Sequence, residues 1–150
     1  MKTALTSHHS RHQDLGLLLL RTMLAVVFLW HGSQKLFGLF GGHGIDGTAV
    51  WLGSIGVPLP TLSAILAGAS EFGGGLALVA GLAFRLTLPP LVFTMLIAAF
   101  VGHAGKGFDA QSGGMEYPLT LAVAVTALIL TGPGRLRVAP SRPLTAAVAA

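Results

Sequence analysis

The fold class this sequence predicts is all-α: an integral membrane four-helix bundle with a short amphipathic interfacial helix in its first external loop. Three observations carry that expectation. Hydrophobic residues make up 53% of the chain, charged residues only 9%, and the mean hydropathy is +0.77, whereas a soluble domain carries about 25% charged residues. Four apolar runs each approach the roughly 20 residues that cross a bilayer. No stretch alternates apolar and polar residues with the period of two that marks a half-buried strand.

The first run covers Leu15 to Phe37, the second Thr61 to Ala83, the third Leu86 to Val101 and the fourth Tyr117 to Thr131. Lys2 and Arg11 precede the first run as they would in a signal peptide. No small-residue cleavage pattern follows Trp30, so an uncleaved first span is expected. The connection from Gly38 to Pro60 is long and glycine-rich. Within it Ala49, Leu52 and Ile55, with Trp51 alongside, suggest a short helix lying in the interface. Pro89-Pro90 fall near the start of the third run, where a first turn or two tolerates proline and a later position kinks. Gly132-Pro133-Gly134 stops the fourth helix. The resulting division is an N-terminal tail over 1–14, a membrane domain over 15–134 and a C-terminal tail over 135–150.

Lysines and arginines set the expected orientation. Four spans place Lys2, Arg11, Arg85, Arg135, Arg137 and Arg142 on one side, against Lys35 and Lys106 on the other. An excess of cations marks the cytoplasmic side, so both termini are expected there. The pI near 10.4 then reflects topology and contact with anionic lipid, and no nucleic-acid partner is expected. The chain has no cysteine, which excludes disulfides, thiolate chemistry, cysteine-ligated iron–sulfur clusters and covalent c-type haem.

The polar residues within the apolar runs are the candidates for chemistry. His31 and Lys35 lie i to i+4 on one helical face where the first run ends. Ionisable groups at such depth are costly unless they face protein, water or a ligand. His103 and Glu116 arrive at the same membrane face from the other hairpin, so a convergent pocket of His31, Lys35, His103 and Glu116 is expected, lidded by the Gly38–Pro60 loop with Trp51 and Phe40. Lys35, as a peripheral cation, is expected to add little to packing. Glu71, near the middle of the second run beside Gly68 and Gly73-Gly74-Gly75, is expected either to form a buried ion pair with Arg21 across a close helix contact or to mark a proton or ligand site. Imidazole suits metals and haem alike. No dense ligand motif such as HExxH accompanies His31 and His103, so neither a metal nor a haem is expected. The glycines of 38–44 lack a phosphate-binding pattern.

At these residues the chain resembles the DoxX family of small bacterial membrane proteins. Arg21, the string Phe28-Leu29-Trp30-His31-Gly32-Ser33-Gln34-Lys35-Leu36-Phe37-Gly38, and Phe40-Gly41-Gly42 carry the likeness. So do Ala69-Ser70-Glu71-Phe72-Gly73-Gly74, His103…Gly107-Phe108 and Gly113-Gly114-Met115-Glu116-Tyr117-Pro118. The resemblance spans about Leu17 to Arg135 and implies a four-helix bundle in a bacterial plasma (inner) membrane. It adds Tyr117 to the ligand-binding candidates and implies a quinone-associated component of a membrane redox system, with no single chemistry common to all members. A quinone is then the expected ligand, held through His31, Lys35 and Glu116, with electrons from a partner redox protein or a soluble donor. The alternative is a non-catalytic membrane scaffold or small-molecule permeation module. Glycine-rich helix faces also allow a homo-oligomer.

Overall fold

The computed structural model describes residues 11–138. Lys2 and Arg142, counted above in the orientation, lie outside the described residues. In chain order the elements are α1 (Arg11–Phe37), α2 (Gly44–Ser54), α3 (Pro60–Ala80), α4 (Phe84–Ile97), a π-helical turn (Ala98–Gly102), a 3-10 turn (Ala110–Ser112) and α5 (Glu116–Thr131). There is no strand among the described residues. Among the described residues three helices are long and apolar enough to cross a membrane: α1, α3, and α4 with its π-helical turn. α5 is a shorter apolar helix.

The element boundaries shift for local reasons. α1 begins at Arg11 rather than Leu15, taking Asp14 into its first turn, where the carboxylate accepts the Arg135 N–H at 2.8 Å. α3 ends at Ala80 rather than Ala83, because Gly81 turns left-handed (φ +69°) and returns its N–H to the Ala77 carbonyl at 2.8 Å, a common helix stop. Pro89 and Pro90 sit in the second turn of α4, and the helix continues through them.

Packing is most extensive between α1 and α3, and small residues make it close. A Cβ on Gly32 would stand 2.5 Å from the backbone nitrogen of Phe72; Gly68 meets Leu36 and Gly75 meets Leu29. These contacts set an antiparallel register in which Arg21 lies opposite Gly81 and Lys35 lies one turn from Glu71. The central core joins Phe28 of α1 and Leu78 of α3 to Leu88 and Leu91 of α4 and Val125 and Leu128 of α5, all fully buried. α2 lays Ala49 and Leu52 on Ala64 of α3. The outward faces carry Leu19, Met23, Leu66, Phe93, Val123 and Leu130, each at least 60% exposed. So large an apolar exterior is a liability in water and is satisfied in lipid.

Candidate functional site

The site is built around an ion pair between α1 and α3. The Lys35 ammonium donates to Glu71 Oε2 at 2.7 Å, with the Glu71 side chain 3% exposed and that of Lys35 26%. A carboxylate so deeply buried is costly unless paired. Lys35 supplies the partner because Gly68 lets α1 approach α3 one turn away.

Two histidines flank this pair, each with one ring nitrogen committed. His31 Nδ1 lies 3.0 Å from Gln34 Oε1, while Gln34 Nε2 donates to the Phe40 carbonyl at 3.2 Å. A carbonyl only accepts, which fixes the amide orientation and makes His31 Nδ1 the donor. By the same logic His103 Nδ1 donates to the Gly113 carbonyl at 2.6 Å. In the neutral rings both histidines therefore keep Nε2 as an acceptor. His103 reaches its place through the π-helical turn, closed by its own N–H on the Ala98 carbonyl at 3.0 Å; such turns are frequent at functional sites.

Two cavities share this wall. The first, of about 150 Å³, has Phe28, Met95 and Leu121 as its apolar side and His31, Lys35, Glu71, His103 and Tyr117 as its polar side. The Tyr117 ring stands edge-on to His31, with centroids 6.5 Å apart. The second, of about 190 Å³, lies under α2 and is lined by Trp51, Leu52, Ile55 and Thr94 together with Lys35, Glu71 and His103. The ion pair and His103 are thus common to both.

The structure gathers His31, Lys35, His103 and Tyr117 as the sequence led one to expect, and departs from it elsewhere. Arg21 does not meet Glu71. It lies ten residues away in register, about 15 Å along the helix, and its guanidinium donates to the carbonyls of Pro133 (2.9 Å) and Leu136. Glu116 stays outside the cavity: its carboxylate accepts the Ala110 N–H at 3.0 Å and faces a separate groove with Phe108 and Leu119. Phe40 is no lid, because it stacks on Trp30 with centroids 4.1 Å apart. Trp51 does roof the second cavity, its ring 3.2 Å from where a Gly102 Cβ would stand. Lys35 holds a buried carboxylate and is therefore more than a peripheral cation. Glu71 is the site residue that sequence reasoning placed elsewhere. Its intramembrane position was signal enough for importance, but nothing local named its partner. Among the described residues no group of three or more histidines and carboxylates could hold a metal ion.

The sequence model of the DoxX family matches residues 16–104, more than half of the chain. The chain belongs to the DoxX family. Among its relatives, inner membrane protein YphA of Escherichia coli (strain K12) is 28% identical over 125 residues, covering 80% of this chain and 85% of the relative. Inner membrane protein YqjF of the same organism is 30% identical over 122 residues, covering 81% and 88%. "Putative oxidoreductase CatD" of Bacillus subtilis (strain 168) is 36% identical over 99 residues, covering 61% and 68%. No solved structure matches the chain. This DoxX-family chain is accordingly a membrane protein whose apolar helices meet lipid.

Proposed function

We propose that this protein is a multi-pass component of the bacterial inner membrane that binds a quinone head group between His31, Lys35, Glu71, His103 and Tyr117 and serves a membrane redox system. In this reading α5 is the fourth span, α2 lies in the external interface over the site, and the arginine-rich end is cytoplasmic. The observation that carries it is the convergence of five polar side chains on one small cavity in an otherwise apolar bundle. A mostly apolar pocket with a few converging polar groups is the usual form of a small-molecule site.

The chemistry suits a quinone. Its carbonyl oxygens only accept, and Lys35 and Tyr117 offer a charged and a neutral donor. Reduction adds two electrons and two protons, and the hydroquinone then has two hydroxyls to donate. His31 and His103 each keep Nε2 as the matching acceptor, while the ammonium favours the anionic reduced form. The electrons come from a partner redox protein or a soluble donor, since a chain without cysteine has no thiol couple of its own. The printed oxidoreductase name of CatD supports this reading, and a homo-oligomer is compatible with it.

Titration of the purified protein in lipid nanodiscs with a short-chain benzoquinone tests the proposal. A rise in melting temperature is expected, with His31→Ala and His103→Ala each weakening binding at least tenfold. The absence of any thermal shift would leave the other reading, a non-catalytic scaffold or permeation module. The specific observation favouring that reading is the Lys35–Glu71 pair itself, which ties α1 to α3 with or without a ligand.

A further inference from the structure

A third cavity continues the second. It holds about 430 Å³ between α3 and α4 and shares Leu52, Val57, Ala67, Thr94 and Ile97 with the cavity under α2. Its outer rim includes Leu66 and Phe93, which are 60% and 65% exposed, so it opens sideways on the apolar surface. Three hydroxyls line the groove, and all are occupied: Ser63 Oγ donates to the Pro58 carbonyl at 2.9 Å. Ser70 Oγ and Thr94 Oγ1 lie 2.7 Å apart; Ser70 also donates to the Ala67 carbonyl at 2.9 Å and Thr94 lies 3.0 Å from that of Pro90. The groove therefore presents an apolar wall. Together with the cavity under α2 it follows α4 from Pro90 toward Gly102, twelve residues or about 18 Å, and that second cavity ends at Lys35, Glu71 and His103.

We propose that this groove is a lateral entrance from the lipid, and that it seats the linear prenyl tail of a ligand whose polar ring lies at the ion pair. The inference rests on the head-group reading above and adds to it the route and the class of ligand: an amphiphile dissolved in the membrane. Continuity with the polar cavity identifies the occupant. The groove beside Phe108 and Glu116, of about 350 Å³, shares no lining residue with either polar cavity. On the external side α2 and Trp51 roof the second cavity, leaving the gap between α3 and α4 as its opening toward lipid.

The test compares a tailless benzoquinone with the same ring carrying a farnesyl tail. Quenching of Trp51 fluorescence is read in nanodiscs, in a Trp30→Phe background that leaves Trp51 as the sole tryptophan. Ser63→Phe and Leu66→Phe narrow the groove along α3 at positions that line neither polar cavity and add no tryptophan, with unchanged melting temperature as the criterion of folding. Each is expected to weaken the tailed quinone at least tenfold while leaving the tailless ring within twofold. Equal effects on both ligands, or on neither, would overturn the channel and leave the head-group site standing. Failure of both rings to bind the unblocked protein would remove the head-group site and the channel together. A tail-borne diazirine on the same ring gives a reading independent of the blocking variants. Labelling within 66–70 and 93–97 supports the channel, and equal labelling of Val123 and Leu130 on the outer face of α5 overturns it.

Discussion

Lys35 and Glu71 show how much one side-chain choice sets at the residue scale. With the Glu71 side chain 3% exposed, Lys35→Met removes the ammonium that pairs with it and is expected to cost about 3–5 kcal/mol, as broken buried pairs do. Glu71→Gln should cost less, about 3 kcal/mol, because the 26% exposed ammonium is able to swing toward the head-group region. The double variant should recover much of either loss, with a coupling above about 1 kcal/mol in denaturant melts; simple additivity would refute the pair. Arg21 belongs to a different unit. Arg21→Met forfeits charged hydrogen bonds to the Pro133 and Leu136 carbonyls and is expected to cost about 2–4 kcal/mol. It should add to Glu71→Gln within about 0.5 kcal/mol, since the two lie far apart. Strong non-additivity would restore the Arg21–Glu71 pair.

Helix-on-helix approach decides the site at the element scale. Gly32 allows α1 to sit against the backbone of Phe72, and a Cβ there would meet it at 2.5 Å. Gly32→Ala is expected to push α1 from α3 and cost about 1–3 kcal/mol, the range of overpacking. Gly73→Ala, on the same α3 stretch with nothing within 4 Å of its Cβ, should be neutral or stabilise by up to about 1 kcal/mol. Matching melting temperatures for the two variants would contradict the close contact. The elements themselves were legible, because apolar runs near 20 residues announce themselves in hydropathy. Their ends were not: the polar turn Arg11–Asp14 joins α1, and its Asp14 carboxylate accepts the Arg135 N–H from the far end of the chain.

The whole molecule adds direction. Among the described residues Arg85, Arg135 and Arg137 gather at the end where α3 meets α4, while Lys35, Lys106, Asp109 and Glu116 gather at the other. A reporter active only in the periplasm, fused after Ala150, should be silent. A strong signal would reverse the orientation and put the site on the cytoplasmic side.

Composition and hydropathy alone determined that this chain is a membrane protein and approximately where its helices run, because lipid forbids unsatisfied backbone and so makes long apolar helices self-declaring. The i to i+4 spacing likewise put His31 and Lys35 on one face, since that geometry is local. Helix register is different. The 38–59 connection leaves α1 free to slide along α3, and only the glycine contacts at 32, 68 and 75 settle which cation faces Glu71. Only tertiary packing gave Arg21 to the Pro133 and Leu136 carbonyls, turned Glu116 toward Ala110 and opened a path between α3 and α4. Those outcomes depend on contacts between residues distant in the chain, and no local pattern encodes them.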